Sequence, residues 1–117
     1  MKNKKISLNE KIFIAGANGM VGSAIYRKLL EKNYGNKNFG GAIFTPNRKE
    51  LNLLNYSKTE EWFIHYKPSV VIIAAAKVGG ILANASKPAD FLLENLKIQT
   101  NIIDIAWKQK IKRLDYF

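Results

Sequence analysis

The sequence predicts an α/β fold built on a Rossmann-like parallel sheet in three layers. Short apolar runs alternate with stretches of helical periodicity, an order that implies parallel strands joined by helices. The first apolar run ends in a glycine-rich loop, and that loop leads directly into a helical pattern. Apolar residues make up 47% of the 117 residues and charged residues 24%, which is the balance of one small globular domain.

Three apolar runs are predicted strands, at residues 11–16, 42–45 and 69–75. A fourth begins near Ile111, and the sequence stops at Phe117, so we expect a fold truncated at its fourth strand. The usual strand order 3-2-1-4 would pair the fourth strand with the first. On that order, a broken fourth strand leaves the edge of the first strand partly open to self-association.

Three helices are predicted from apolar periodicity and end signals. The first runs from Met20 to Lys32. The second opens at residues 57–60, which have the form of a capping box, and it ends before Pro68. The third is long, starting near Pro88 and reaching about Gln109.

The domain plan is a basic leader at residues 1–10, followed by an incomplete NAD(P)-binding half-domain at residues 11–117. The net charge of +10 is scattered along the chain without a nucleic-acid-binding signature, so we expect no nucleic-acid partner. The chain has no cysteine, which excludes disulfides and thiolate metal sites, and no metal-ligand cluster stands out. No apolar run is long enough to span a bilayer, so we expect a soluble, cytoplasmic protein without a membrane partner.

The glycine loop has the spacing of a dinucleotide-binding turn, Gly-x-x-Gly-x-x-Gly. Gly16 permits the tight turn after the strand, Gly19 lets the backbone approach a pyrophosphate, and Gly22 lets helix and strand pack closely. The helix that follows presents free N–H groups and a partial positive charge to the phosphates. Because the loop lies between a strand and a helix, we interpret it as a cofactor site.

The end of the second strand favours NADP over NAD. An acid at this point would hold the ribose 2′-hydroxyl of NAD, but the sequence continues Pro-Asn-Arg-Lys without one. Arg48 can instead form paired hydrogen bonds to a 2′-phosphate. Asn52 can hydrogen-bond an adenine edge. Leu53 either covers the adenine ring or is a core leucine.

Four segments, in the same order, resemble the GDP-L-fucose synthase family, a branch of the extended short-chain dehydrogenases/reductases. They are Phe-Ile-Ala-Gly leading into the glycine loop, Glu-Leu-Asn-Leu-Leu at 50–54, Ala-Ala-Ala-Lys-Val-Gly-Gly-Ile-Leu-Ala-Asn at 74–84, and Pro-Ala-Asp-Phe at 88–91 with Asn-Ile-Ile at 101–103. The resemblance runs from Lys11 to about Leu114. The glycine loop is general to the superfamily, whereas the Lys-Val-Gly-Gly-Ile segment is specific to this branch.

The resemblance implies an NADP-dependent enzyme that epimerises GDP-4-keto-6-deoxymannose at carbons 3 and 5 and reduces it at carbon 4. It also implies a homodimer whose helix bundle includes the long helix at 90–109, although packing on the sheet explains the apolar positions of that helix equally well. It also implies that Lys77 and Asn84 border the substrate. Including the residues discussed above, the expected cofactor contacts are Gly16, Asn18, Gly19, Met20, Val21, Gly22, Arg48, Asn52, Leu53, Ala74, Ala75, Ala76 and Asn95. The family often carries an arginine at the position of Asn18.

Catalytic residues are not expected within this sequence. The family uses a serine in a Gly-Ser-Ser turn and a Tyr-x-x-x-Lys pair, and neither motif occurs in the 117 residues. The sole histidine, His65, falls on the second helix and is interpreted as a surface residue. The sequence therefore predicts an inactive N-terminal part of such an enzyme. The alternative is a non-catalytic nucleotide-binding module or a vestigial fragment.

Overall fold

The computed structural model describes residues 6–74 and 88–117. Within them lie four strands, three α-helices and one short 3₁₀ turn at Lys37–Phe39. The strands are β1 (Lys11–Ala15), β2 (Ala42–Phe44), β3 (Val70–Ile73) and β4 (Arg113–Tyr116). The helices are α1 (Met20–Glu31), α2 (Tyr56–Tyr66) and α3 (Pro88–Lys108). All seven lie where the sequence predicts them, to within two residues at most ends. None of these helices is both long and apolar enough to cross a membrane.

The four strands form one parallel sheet in the order β2-β1-β3-β4, which confirms the predicted fold class. The expected pairing of the fourth strand with the first is wrong. Strand β1 is paired on both sides, with β2 and with β3, and β4 pairs with β3. The edge of β1 is therefore closed. The open edges of the described sheet belong to β2 and β4.

The segment between β2 and α2 explains this difference. In the doubly wound order, a strand that follows β2 would lie beside it and count as the third. Here the polar residues of that segment form turns instead: Asn47 and Glu50 bond each other's backbone N–H groups, and the Asn52 side chain accepts from Leu54. The strand beside β1 is consequently the third along the chain, not the fourth.

The helices cover both faces of the sheet, giving three layers. On one face Ile12, Ile14, Val70 and Ile72 are buried, and side chains of α1 pack against them. The other face carries the larger core, to which α2 and α3 contribute. Its buried members are Phe13, Ala15, Leu51, Phe63, Val71, Ile73, Ile102 and Ile105.

Helix α2 begins two residues earlier than the capping-box pattern predicts. Asn55 is the N-cap, and its side-chain oxygen accepts a hydrogen bond of 3.0 Å from the Lys58 N–H. Residues 57–60, read as the start, already lie inside the helix. Thr59 is fully buried there, and its hydroxyl donates to the Asn55 carbonyl, as a threonine inside a helix can.

The Glu10 carboxylate joins the amino ends of three strands. The Ser69 hydroxyl donates to one of its oxygens, and the Lys112 ammonium nitrogen lies 2.7 Å from the other. The Glu10 side chain is only 11% exposed. The hydrogen bond from Lys112, and then that from Ser69, hold the pKa of the Glu10 carboxyl below its ordinary value. Glu10 therefore joins the segment before β1 to the domain that follows, and the Tyr34 hydroxyl makes a second contact by donating to the Ile6 carbonyl over 2.8 Å.

Glu10→Gln is expected to remove a pH-dependent part of the stability. A carboxyl whose pKa is lower in the folded than in the unfolded chain stabilises the fold above about pH 4.3, and this contribution is lost as the pH falls through the folded-state value. At neutral pH the variant should lose about 1–2 kcal/mol in the free energy of unfolding. Urea denaturation from about pH 3 to about pH 7 measures this difference, which should shrink toward the acid end. A pH-independent difference would contradict the assignment.

Candidate functional site

The glycine loop between β1 and α1 is held so closely that two of its positions exclude any side chain. Gly16 has a φ of 85°, and a Cβ there would lie 2.5 Å from the Ala74 carbonyl oxygen. A Cβ on Gly22 would lie 1.9 Å from the Gly16 carbonyl oxygen. The Gly19 N–H donates to that same oxygen over 3.0 Å. The loop therefore turns back on itself and brings the start of α1 against the end of β1.

The start of α1 is suited to an anion. Gly19 is the N-cap, with extended backbone, no side chain caps the helix there, and its first turn contains no acidic residue. Asn18 and Met20 are exposed, Met20 to 77%, and Val21 is half-buried. A helix N-terminus with this surface offers backbone N–H groups and a positive partial charge. These predicted contacts thus share one short exposed segment.

The carboxyl end of β3 lies directly beside the loop. The Ala74 N–H donates to the Ala15 carbonyl over 2.9 Å, which continues the β1–β3 ladder to the level of Gly16. In an open parallel sheet, ligands bind beyond these carboxyl ends. The predicted cofactor residues Ala75 and Ala76, and the predicted substrate-loop residues Lys77 and Asn84, lie outside the described residues.

Arg48 lies in a turn whose backbone is fixed from both ends. The Asn47 and Glu50 side chains each accept from the other residue's N–H, at 2.9 and 3.0 Å, and the Leu51 N–H donates to the Asn47 carbonyl. Leu51 is buried in the larger core. The Arg48 side chain projects from this turn to helix α3, where its Nη1 lies 3.9 Å from the Glu94 carboxylate.

A second contact joins the same loop to α3. The Asn101 side-chain amide donates to the Leu53 carbonyl over 2.9 Å. Leu53 is half-buried and packs against the larger core, and Asn52 is exposed. Asn95 is also half-buried, one residue beyond Glu94 on α3. The Asn101 hydrogen bond therefore holds the loop against α3, and the exposed Arg48–Glu94 pair is another contact between them.

A groove of about 430 Å³ separates this turn from the outer face of α2. It is lined by three cationic side chains, two carboxylates and the rings of Trp62, His65 and Tyr66, so it offers both cations and stacking surfaces to a planar group. His65 lies in the groove as an exposed ring, in edge contact with Tyr66 at 4.6 Å between centroids, which agrees with its interpretation as a surface residue. The lining is Arg48, Lys49, Glu50, Leu51, Asn52, Asn55, Lys58, Glu61, Trp62, His65 and Tyr66.

Sequence reasoning missed Glu94 and Asn101 as neighbours of the predicted cofactor residues. The Asn101 contact joins residues 48 positions apart, and neither residue type nor local spacing indicates it. Only the packing of α3 on the larger core brings these side chains to the loop.

Comparison with known proteins supports the dinucleotide interpretation. Residues 12–117 match the model of the NAD dependent epimerase/dehydratase family. The chain is 47% identical over 104 residues to GDP-L-fucose synthase 1 of Arabidopsis thaliana, covering 89% of this chain and 30% of that protein. It is 40% identical over 105 residues to GDP-L-fucose synthase of Escherichia coli K12, covering 90% and 31%. The predicted resemblance is thereby confirmed.

A solved structure agrees with these relatives. MlghC, a GDP-mannoheptose C4 reductase from Campylobacter jejuni with NADP bound, superposes with a TM-score of 0.77 at 30% identity, covering 97% of this chain and 34% of that one. This chain spans about 30% of the length of the curated relatives it matches. The glycine loop, the parallel sheet and the matched residues agree: the chain belongs to the NAD dependent epimerase/dehydratase family.

Proposed function

We propose that this chain is the NADP-binding N-terminal part of a GDP-L-fucose synthase-like oxidoreductase. The observation that carries the proposal is the start of α1, which is brought against β1 by Gly16 and Gly22 and left without a side-chain cap. That arrangement receives a pyrophosphate at a helix N-terminus. Support also comes from relatives named as GDP-L-fucose synthases and from a related reductase structure with NADP bound.

The cofactor would lie across the carboxyl ends of the strands. Gly16, Asn18, Gly19, Met20, Val21 and Gly22 would surround its pyrophosphate. Arg48 would bind the 2′-phosphate, and Asn52 and Leu53 would contact the adenine. Ala74, Ala75, Ala76 and Asn95 would complete the contacts, with Lys77 and Asn84 facing the substrate. Bound NADPH would supply a hydride, and these residues would hold and orient the cofactor.

The proposed reaction of the complete enzyme is 3,5-epimerisation and 4-reduction of GDP-4-keto-6-deoxymannose. A keto-sugar reductase needs a proton donor at the carbonyl. The 117 residues contain no Tyr-x-x-x-Lys and no Gly-Ser-Ser motif. We therefore propose that this chain binds cofactor but does not catalyse alone. We also propose a cytoplasmic location, which the lack of cysteine favours.

Titration of the 117-residue chain with NADPH and with NADH, followed by nucleotide fluorescence, tests the proposal. Both should bind saturably, and NADPH should bind more tightly because Arg48 faces a 2′-phosphate in only one of them. Arg48→Gln should reduce that preference and leave NADH binding unchanged. Absence of saturable binding to either nucleotide would contradict the proposal and favour a vestigial fragment.

The exposed side of α3 supports the proposed homodimer. Leu92, Leu96, Ile103 and Trp107 are all exposed and recur at helical spacing, while Ile102 and Ile105 face the core. A helix with apolar residues on two sides needs a second partner to cover the outer one. We propose that this side pairs with the same helix of a second copy, in this chain as in the complete enzyme.

Ile103→Lys is expected to abolish dimer formation at a small cost in monomer stability. Ile103 is 42% exposed, so a lysine there can keep its ammonium group in water in the monomer, whereas paired helices would bury that charge. Sedimentation at tens of micromolar should give a dimer for the wild type and a monomer for the variant. Ile64→Lys is the matched control, since Ile64 is an exposed isoleucine on α2. A wild-type monomer at these concentrations would contradict the dimer.

A further inference from the structure

We propose that Glu94 on α3 is a specificity-determining residue, which lowers the preference for NADPH over NADH by competing for Arg48. The inference rests on the proposed function, because it requires that a dinucleotide binds at the glycine loop. Two groups would then select between the nucleotides: Arg48 on the loop after β2, and Glu94 on α3, which is far from that loop in sequence.

The geometry brings the two charged groups together. The Arg48 Nη1 lies 3.9 Å from a Glu94 carboxylate oxygen. The turn that carries Arg48 is fixed by the bonds between Asn47 and Glu50, and the contact of Asn101 with Leu53 holds α3 against the same loop. Both backbone segments that carry the pair are therefore held in place, and this keeps Arg48 and Glu94 near each other.

The pair is weak enough to be displaced. The side chain of Arg48 is 65% exposed and that of Glu94 is 50% exposed, so water and salt screen their attraction. A 2′-phosphate carries more charge than a carboxylate and accepts paired hydrogen bonds from a guanidinium. NADPH must therefore displace the Glu94 carboxylate from Arg48, and it then lies beside a like charge. NADH has no 2′-phosphate, so it neither has to displace the carboxylate nor suffers repulsion from it.

The same carboxylate can act favourably toward NADH. Dinucleotide sites that select NAD place an acid where it accepts a hydrogen bond from the ribose 2′-hydroxyl. No acid follows β2 directly in this sequence, where Pro46, Asn47, Arg48 and Lys49 occur instead. Glu94 places a carboxylate beside Arg48 from helix α3. The site then holds a cation for a 2′-phosphate and an anion for a 2′-hydroxyl at one place.

Binding of NADPH and NADH to the wild-type chain and to Glu94→Gln, at low ionic strength, tests the inference. Glu94→Gln should tighten NADPH binding by about threefold to tenfold, because it removes the competing charge at an exposed pair. NADH binding should stay the same or weaken, since a neutral amide replaces the acceptor. The gain for NADPH should largely disappear when Arg48→Gln is also present, because the double variant lacks the guanidinium for which the carboxylate and the 2′-phosphate compete.

Glu31→Gln is the matched control. Glu31 is an exposed glutamate at the end of α1, it pairs with Lys28 over 3.9 Å, and its replacement changes the net charge equally. It should leave the ratio of the two affinities unchanged. Equal tightening of both nucleotides by Glu94→Gln, or the same effect from Glu31→Gln, would overturn the inference. No binding of either nucleotide to the wild type would overturn the proposed function itself, and the inference with it.

Discussion

Gly22→Ala should unfold much of the glycine loop and weaken NADPH binding by on the order of 100-fold. The added Cβ would lie 1.9 Å from the Gly16 oxygen, 2.6 Å from the Gly16 carbon and 2.9 Å from the Ala17 Cα. All three are backbone atoms, so no rotamer change can relieve the overlap. The helix must move away from β1, at a cost of about 3 kcal/mol. Thermal denaturation and NADPH titration of the variant measure the two effects.

Gly19→Ala is the control that separates folding from binding. A Cβ at Gly19 would lie 3.4 Å from the Gly16 oxygen, an ordinary contact, and the residue has a φ of −77°. Its stability should change by less than about 1 kcal/mol. NADPH binding should still weaken, because the methyl group occupies the approach of the pyrophosphate. A Gly22→Ala variant as stable as Gly19→Ala would show that α1 does not pack on β1 as described.

The elements could be predicted from the sequence because local chemistry determines them. The β-branched run at β3 has no polar residue to expose, and the periodicity of α3 begins at Pro88, a residue suited to a first helical turn. The glycine loop was predictable for a similar reason. Its spacing reflects steric requirements: a Cβ on Gly22 would meet the Gly16 carbonyl within the loop, and a Cβ on Gly16 would meet the end of β3 at Ala74.

The sheet order could not be predicted, because it depends on a segment that does not become a strand. Leu51, Leu53 and Leu54 give the loop after β2 the apolar content of a short strand. Asn47 and Asn52 accept hydrogen bonds from nearby N–H groups and form turns, and Asn55 then caps helix α2. The usual order 3-2-1-4 assumes a strand in this segment. Without that strand, the third and fourth strands of this chain take the places of the fourth and fifth in the usual order.

Long-range pairs were equally hidden, both at the amino ends of the strands and at the candidate site. Glu10 and Lys112 are 102 residues apart, and their contact exists only because β4 lies beside β3. The pairing of Arg48 with Glu94 similarly depends on how α3 packs over the loop. Residue type indicated that Arg48 could bind a phosphate. Its competitor could be identified only after the helix had been placed.

Phe63→Ala should cost about 3–5 kcal/mol in the free energy of unfolding, a large part of the roughly 5–15 kcal/mol available to a domain. Phe63 is 1% exposed, and its ring centroid lies 5.0 Å from that of Phe13 and 5.5 Å from that of Trp62. Its removal leaves a cavity where α2 meets β1. Urea denaturation measures the loss, with Ile64→Ala as control, since Ile64 is the next residue and is 49% exposed.

The response of these variants to NADPH separates a weakened core from a damaged site. A ligand at about 100 times its Kd adds about 2.7 kcal/mol to the stability of a fold that binds it. The cavity of Phe63→Ala lies on the α2 face of β1, away from the glycine loop, so its stability should rise with NADPH as the wild type's does. Gly22→Ala should gain little, because its damage lies at the phosphate-binding turn. Equal gains by both variants would contradict the assignment of that turn to the cofactor.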